Sequence, residues 1–334
     1  MLRELWFATI LSCVVAGNPL AAQVTPATIL EIDVHNIVGY SADVFDPSKF
    51  ASDPNRTTPG AVRNFGFLVA VGDIVLVNGR PAKGTVVIQS RLLSLSPTPN
   101  PGQAIADIVR GQIAEILFEI QQVDGTAVGS IHSLGLAGGG GLVGAPAGIG
   151  NFTIAGGTAA FLGARGQIVG RAFPGVMPAR NASVTEDPER RRNLAAGERA
   201  QYAVQLIPMT RPEILVTPTG PAVTHSSDFS LVTASKPARP GEILSLFATG
   251  LGPARAVDPS KPFPADPLAV VNSPVEVMVD GRPAELLAAV GYPGTLDRYQ
   301  VNFRIPAETA SGSAAIQLSA AWITGPEVRI PVSR

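Results

Sequence analysis

Residues 152–171 read FTIAGGTAAFLGARGQIVGR, an apolar run broken by a double glycine and closed by two more glycines around one arginine. The stretch is not a phosphate loop, because no lysine follows a glycine at the spacing that such a loop needs. Read as an extended strand from Phe161, it places Phe161, Gly163, Arg165 and Gln167 on one face. Leu162, Ala164, Gly166 and Ile168 take the other. Gly156, Gly157, Gly163 and Gly166 permit the coiling and close backbone approach that a barrel corner requires. Two roles for Arg165 remain open at this level. It is an ion-paired residue of a barrel wall, or it faces a ligand from inside the cavity.

The neighbouring sequence has the same character. TILEIDVHNIVG (28–39), FGFLVAVGDIVLV (65–77), GTVVIQSRLLSL (84–95) and AEILFEIQQV (114–123) alternate apolar and polar residues, as half-buried strands do. VNGRPAKG, SPTPNPGQ and VDGTAVG separate them as turns. A short helix or turn is expected around Gln103–Arg110, and QYAVQLIPM (201–209) returns to strand. Residues 210–225, rich in Pro and Thr, read as a linker. Beyond it come EILSLFATG, VEVMVDG, AELLAAVG, YQVNFRIP, AAIQLSAAW and EVRIPV, short strands at the spacing of a small β-sandwich.

Composition agrees with an all-β chain. The 334 residues are 46% hydrophobic and 15% charged, with 35 Gly and 30 Pro and no collagen period. A net charge of -1 gives no electrostatic basis for binding nucleic acid. Residues 1–22 read as a signal peptide: Arg3, the apolar run LWFATILSCVVAG, then small residues ending at Ala22. Export to the periplasm, the cell surface or the medium is therefore expected, with no integral membrane segment. Cys13 is the single cysteine and falls in that leader, where it also admits a lipoprotein reading. The trimmed chain has no disulfide to draw on.

Motifs of chemistry are sparse. Gly139, Gly141 and Gly144 have dinucleotide-loop spacing, but APAGIGN follows instead of a helix. His35, His132 and His225 lie far apart and lack metal-ligand spacing, so neither a metal nor another cofactor is expected. Ser130 does not sit in a nucleophile elbow.

A family resemblance adds to this reading. GGTAAFLGARG (156–166) resembles the G-G-T-G-x-F-x-x-A-R-G signature of dirigent proteins and is similar to the matching stretch of allene oxide cyclases. VHNIVG resembles the dirigent opening, with Asn36 in place of its aspartate. NFGFLVAVGD, ending at Asp73, LFEIQQVDGTAVGSIHSLG and QYAVQLIP follow in the family's order. The resemblance covers residues 29–209 and implies an eight-stranded antiparallel barrel with a hydrophobic cavity, often assembled as trimers. Dirigents steer phenoxy-radical coupling, and the cyclases close an unstable fatty-acid epoxide. The acidic residue that precedes the phenylalanine in coupling dirigents is here Ala160, whereas Arg165 and Asp73 are retained. The insertions 96–111 and 177–198 also depart from the plant pattern. Residues 226–334 resemble the Ig-like IPT/TIG domain found at the C-terminus of secreted proteins of environmental bacteria, which implies tethering or a cell-surface partner.

Three functions follow. The first is a secreted barrel that binds a small apolar or phenolic ligand, with Asp73, Phe161, Arg165 and Gln167 as candidate lining and an Asp73–Arg165 pair in the empty cavity. The second is a catalyst of the dirigent or cyclase kind, in which Asp73 and Arg165 stabilise charge. The third is an interaction scaffold with a filled lumen. The lining of the barrel separates them.

Overall fold

The computed structural model describes residues 27–43, 66–93, 111–137, 151–172, 180–181, 198–255 and 261–334. The signal peptide 1–22 with Cys13, the Gln103–Arg110 segment and the glycine loop 138–144 lie outside these residues, as does most of both insertions.

The first half supplies eight strands: β1 (Thr28–Asp43), β2 (Gly66–Val77), β3 (Lys83–Leu93), β4 (Gly111–Gln121), β5 (Ala127–Ala137), β6 (Asn151–Gly157), β7 (Arg165–Ala172) and β8 (Glu198–Ile207). Each pairs antiparallel with the next, and β8 pairs antiparallel with β1. The ring is a closed barrel, which removes the free strand edges that a flat sheet would expose. The two-residue alternation reads directly as inside and outside. Leu30, Ile32 and Val34 of β1 enter the core, as do Ala114, Ile116, Phe118 and Ile120 of β4. A bulge between Val34 and Ile37, with Asn36 at φ 55°, bends β1 and turns Ile37 inward again. Among the described residues, no helix is long and apolar enough to cross a membrane.

Chain direction sorts the connections into two ends. The β2–β3, β4–β5 and β6–β7 turns, the start of β1 and the end of β8 all lie at one end. The four longer connections, 44–65, 94–110, 138–150 and 173–197, join strands at the other. In the β2–β3 turn Asn78 and Gly79 sit at φ 51° and 73°, the left-handed pair of a tight hairpin. The Asn78 side chain accepts the Glu31 amide at 2.7 Å.

The second half forms a two-layer β-sandwich. Its strands are β9 (Glu213–Ile214), β10 (Val223–His225), β11 (Ile243–Thr249), β12 (Val275–Val279), β13 (Glu285–Gly291), β14 (Tyr299–Arg304), β15 (Gly312–Ala320) and β16 (Ile323–Val332). In one sheet β9 and β10 share one edge of β11, with β14 and then β13 beyond it. The other sheet runs β12–β15–β16. Leu244, Leu246, Val301 and Phe303 pack against Val277, Val279, Ile316 and Leu318 between the layers.

One expectation needs correction here. Residues 210–225 are not a free linker. Ile214 and Val223, 2% and 0% exposed, are core residues of the sandwich, and β9 and β10 are strands of its first sheet. Pro and Thr are compatible with such short edge strands, which is why composition alone misreads them. Nor is the barrel core built from the first half alone. The β15–β16 hairpin carries Ala321 and Ile323, 1% and 2% exposed, into the barrel's own core, and Trp322 packs against it. Ala321 and Trp322 hold the two-residue turn at φ 48° and 62°, a conformation rarely adopted without glycine.

Polar contacts ring this plug at the turn end of the barrel. Arg80 in the β2–β3 turn pairs with Glu276, and Gln122 after β4 donates to the Asn272 carbonyl. Arg255 reaches Thr126 at 2.5 Å and Asp124 at 3.5 Å in the β4–β5 turn. Arg211 donates to the Thr324 carbonyl at 2.9 Å and to the Thr28 hydroxyl at 3.4 Å. At the β6–β7 turn Ala160 lies so near Gly252 that a Cβ on that glycine would meet it at 3.4 Å.

Candidate functional site in the barrel lumen

The stretch 152–171 is barrel wall, but its face assignment changes. It is not one strand from Phe161. Ala159–Phe161 form a 3-10 turn between β6 and β7, and the strand starts at Arg165. Phe161 is 1% exposed and fills the core beside the turn. Arg165 and Gln167 then take the outward phase of β7, where both are exposed, while Ile168 points inward. Gln167 donates to Gln205 at 2.7 Å on the outer face. Gly166, at φ 139°, is required by close approach: a Cβ there would lie 1.9 Å from the Gln205 carbonyl oxygen.

Asp73 also belongs to the outside. It is half-buried on β2, and its carboxylate accepts a hydrogen bond from Asn36 at 3.0 Å. β1 and β8 separate its strand from that of Arg165 in the ring. The expected Asp73–Arg165 pair inside the cavity is therefore not formed. Of the four candidates only Phe161 faces the lumen. Beside Asp73, His35 has its pKa lowered, first by burial and then by Arg199, with Asp33 and Asp73 opposing. His132 is exposed on β5. His225 sits in the sandwich, 2.6 Å from Glu242 and 3.3 Å from the Lys236 carbonyl. The three histidines do not converge.

What lines the lumen changes along its axis. Toward the sandwich it is packed with Ile32, Phe118, Ile120, Ile131, Phe161 and Leu206. Toward the end of the four long connections several of the described inward positions are small, Ala70, Ala114, Ala200 and Gly170, and they stand beside the larger Ile37 and Phe152. An eight-stranded barrel is just wide enough for ordinary side chains to fill it, so each Ala or Gly among its inward positions contributes few atoms to the axis. Three polar groups punctuate this half. Ser133 donates to the Ile116 carbonyl at 3.1 Å. Tyr202, 6% exposed, meets the Phe118 ring edge-on at 5.1 Å. Ser90, 3% exposed and opposite Ala114, has a buried hydroxyl with no hydrogen-bond partner. A buried hydroxyl left in that state costs about 1–3 kcal/mol. Apart from Ser133, no other polar or charged side chain of the described barrel is buried, tyrosine aside. None of these three was singled out in the sequence. The one signal for Ser90 is its phase, two residues on from the inward Ile88 and four from Val86.

A concavity of about 990 Å³ opens where barrel and sandwich meet, with Met209, Arg211, Glu213, Asp297, Tyr299 and Glu327 among its lining. The Tyr299 hydroxyl donates to the Gly252 carbonyl at 2.5 Å. Burial, with Asp297 nearby, pushes its pKa up to about 12.

No protein-family model matches the sequence, and no curated protein matches it. Among solved structures, a pterocarpan synthase dirigent protein is similar to the chain, with 14% identity, a TM-score of 0.28, and coverage of 57% of this chain and 91% of that one. The barrel rests on the strand pairing described above and not on that likeness.

Proposed function

We propose that the chain is an exported binding protein whose barrel takes a small apolar or phenolic ligand through the end opposite the sandwich. The observation that carries this is the gathering of small inward residues, Ala70, Ala114, Ala200 and Gly170, in the half of the lumen away from the sandwich, beside the unpartnered Ser90 hydroxyl. A barrel that served only as a scaffold would gain from filling that half too, because each unfilled methylene forgoes packing energy. Export rests on the leader-like residues 1–22, and the dirigent and Ig-like assignments rest on the motif order of the two halves. Trimer formation and a cell-surface partner for the sandwich are further parts of this reading. Steering of a reactive intermediate by Asp73 and Arg165 is not part of it, since both lie outside the lumen.

Calorimetric titration of the folded protein with hydrophobic phenols tests the proposal. Saturable binding that disappears in Ala114→Phe, with the fold retained by circular dichroism, is the expected result. An absence of binding to the unaltered protein would leave the scaffold reading, which the packed half of the lumen favours.

A further inference from the structure

Ser90 is a polar group without a use in the fold. Its neighbours in phase on β3, Val86 and Ile88, are apolar, and its cross-strand partner Ala114 offers nothing to bond. Ser133, on the next strand round from β4, has settled its own hydroxyl on a main-chain carbonyl. Ser90 has not, although it is only 3% exposed. Most buried hydroxyls are satisfied in native structures, so an orphan beside small side chains points to a place where a further atom belongs.

The described buried lining of the lumen is also uncharged. Wherever burial is described, the charged side chains of the barrel strands are exposed or half-buried, so none of these stands within the buried lining to balance an ion. An ionised carboxylate brought there would lose its hydration with no counter-charge in return.

From these two observations, and resting on the binding function above, we propose that Ser90 is the polar anchor of the lumen and that the ligand is an uncharged molecule with one hydroxyl or carbonyl oxygen on an apolar frame. Anionic ligands of the same shape, fatty acids and aromatic carboxylates included, are rejected. The serine hydroxyl donates to that oxygen or accepts from it, and the Ala-lined wall takes the apolar frame. Tyr202 closes the far side with its ring on Phe118.

Three probes of one shape test this at pH 7: p-cresol, p-toluate and toluene, titrated into the full chain and into Ser90→Ala. The phenol is neutral at this pH, its hydroxyl titrating near 10 like that of tyrosine, and the carboxylate is ionised. Expected in the unaltered protein are binding of p-cresol and binding of p-toluate weaker by more than about a hundredfold. Ser90→Ala should weaken p-cresol roughly threefold to tenfold and leave toluene unchanged. If p-toluate binds as tightly as p-cresol, or if Ser90→Ala leaves p-cresol unchanged, the assignment of Ser90 and of ligand charge is overturned while the binding barrel stands. If none of the three probes binds, the binding function itself fails. Should Ser90→Ala not fold, Ser90→Cys keeps the volume and weakens the hydrogen bond, and the same comparison applies.

Discussion

Replacing Ile323 by alanine tests whether barrel and sandwich are one cooperative unit. Ile323 is encoded in the second half, yet it is 2% exposed within the barrel core. The substitution removes three carbons, about 2.4 kcal/mol of transfer energy at about 0.8 per buried group. The void left among Phe and Ile side chains adds to this, giving about 3 kcal/mol, inside the usual range for such a truncation. Trp322, the neighbouring residue, is a ready probe. The chain has two tryptophans, Trp6 and Trp322, and a protein that starts at Gln23 keeps only Trp322. Urea unfolding should then show Trp322 emission and far-ultraviolet circular dichroism moving together, with both curves shifted by the same free energy in Ile323→Ala. Amide exchange should report the loss in β1 and β4 as much as in β15 and β16. If β1 and β4 keep full protection while the hairpin loses its own, the hairpin is a surface contact and the plug argument is wrong.

Three further outcomes are expected. Limited proteolysis should spare residues 213–225, whose strands are paired and whose Ile214 and Val223 are buried, and a first cut there would contradict the sandwich assignment. Arg165→Ala should change stability by no more than about 0.5 kcal/mol and leave p-cresol affinity untouched, because the side chain is exposed on the outer face; a large loss of either, measured by urea unfolding and calorimetry, would return Arg165 to the lumen. His35, with its folded pKa below the ordinary 6.5, binds its proton less readily than the unfolded chain does. Its contribution is intact above about pH 6.5 and lost as pH falls through that value toward the folded pKa, so His35→Gln should flatten the acid side of a stability-against-pH curve.

The sequence by itself carried the strands, because alternation has a period of two and a half-buried strand must show it. GTVVIQSRLLSL read as a strand from its alternation, AEILFEIQQV was preferred as a strand over a continuing helix, and the Asn78–Gly79 turn announced its geometry through residue type. The dirigent-like order of motifs pointed to a barrel, and the closed ring of eight strands is what the chain forms.

Phase was the harder matter. A single turn at Ala159–Phe161 resets the alternation, so Phe161 goes inside and Arg165 outside although both have odd numbers in one unbroken stretch. No periodicity argument detects such a reset, since it depends on where the chain must turn to rejoin the neighbouring strand. The same limit hid the site. Ser90 looks like any polar residue of an amphipathic strand until its partner strand places Ala114 opposite and no acceptor within reach. It also hid the plug. Ala321 and Trp322 are an ordinary hairpin turn in sequence, and only the tertiary structure brings them, more than a hundred residues beyond β8, into the end of the barrel. Local pattern fixes which residues prefer burial. Which core buries them is settled by contacts between segments far apart in the chain, and those are formed only when the whole fold closes.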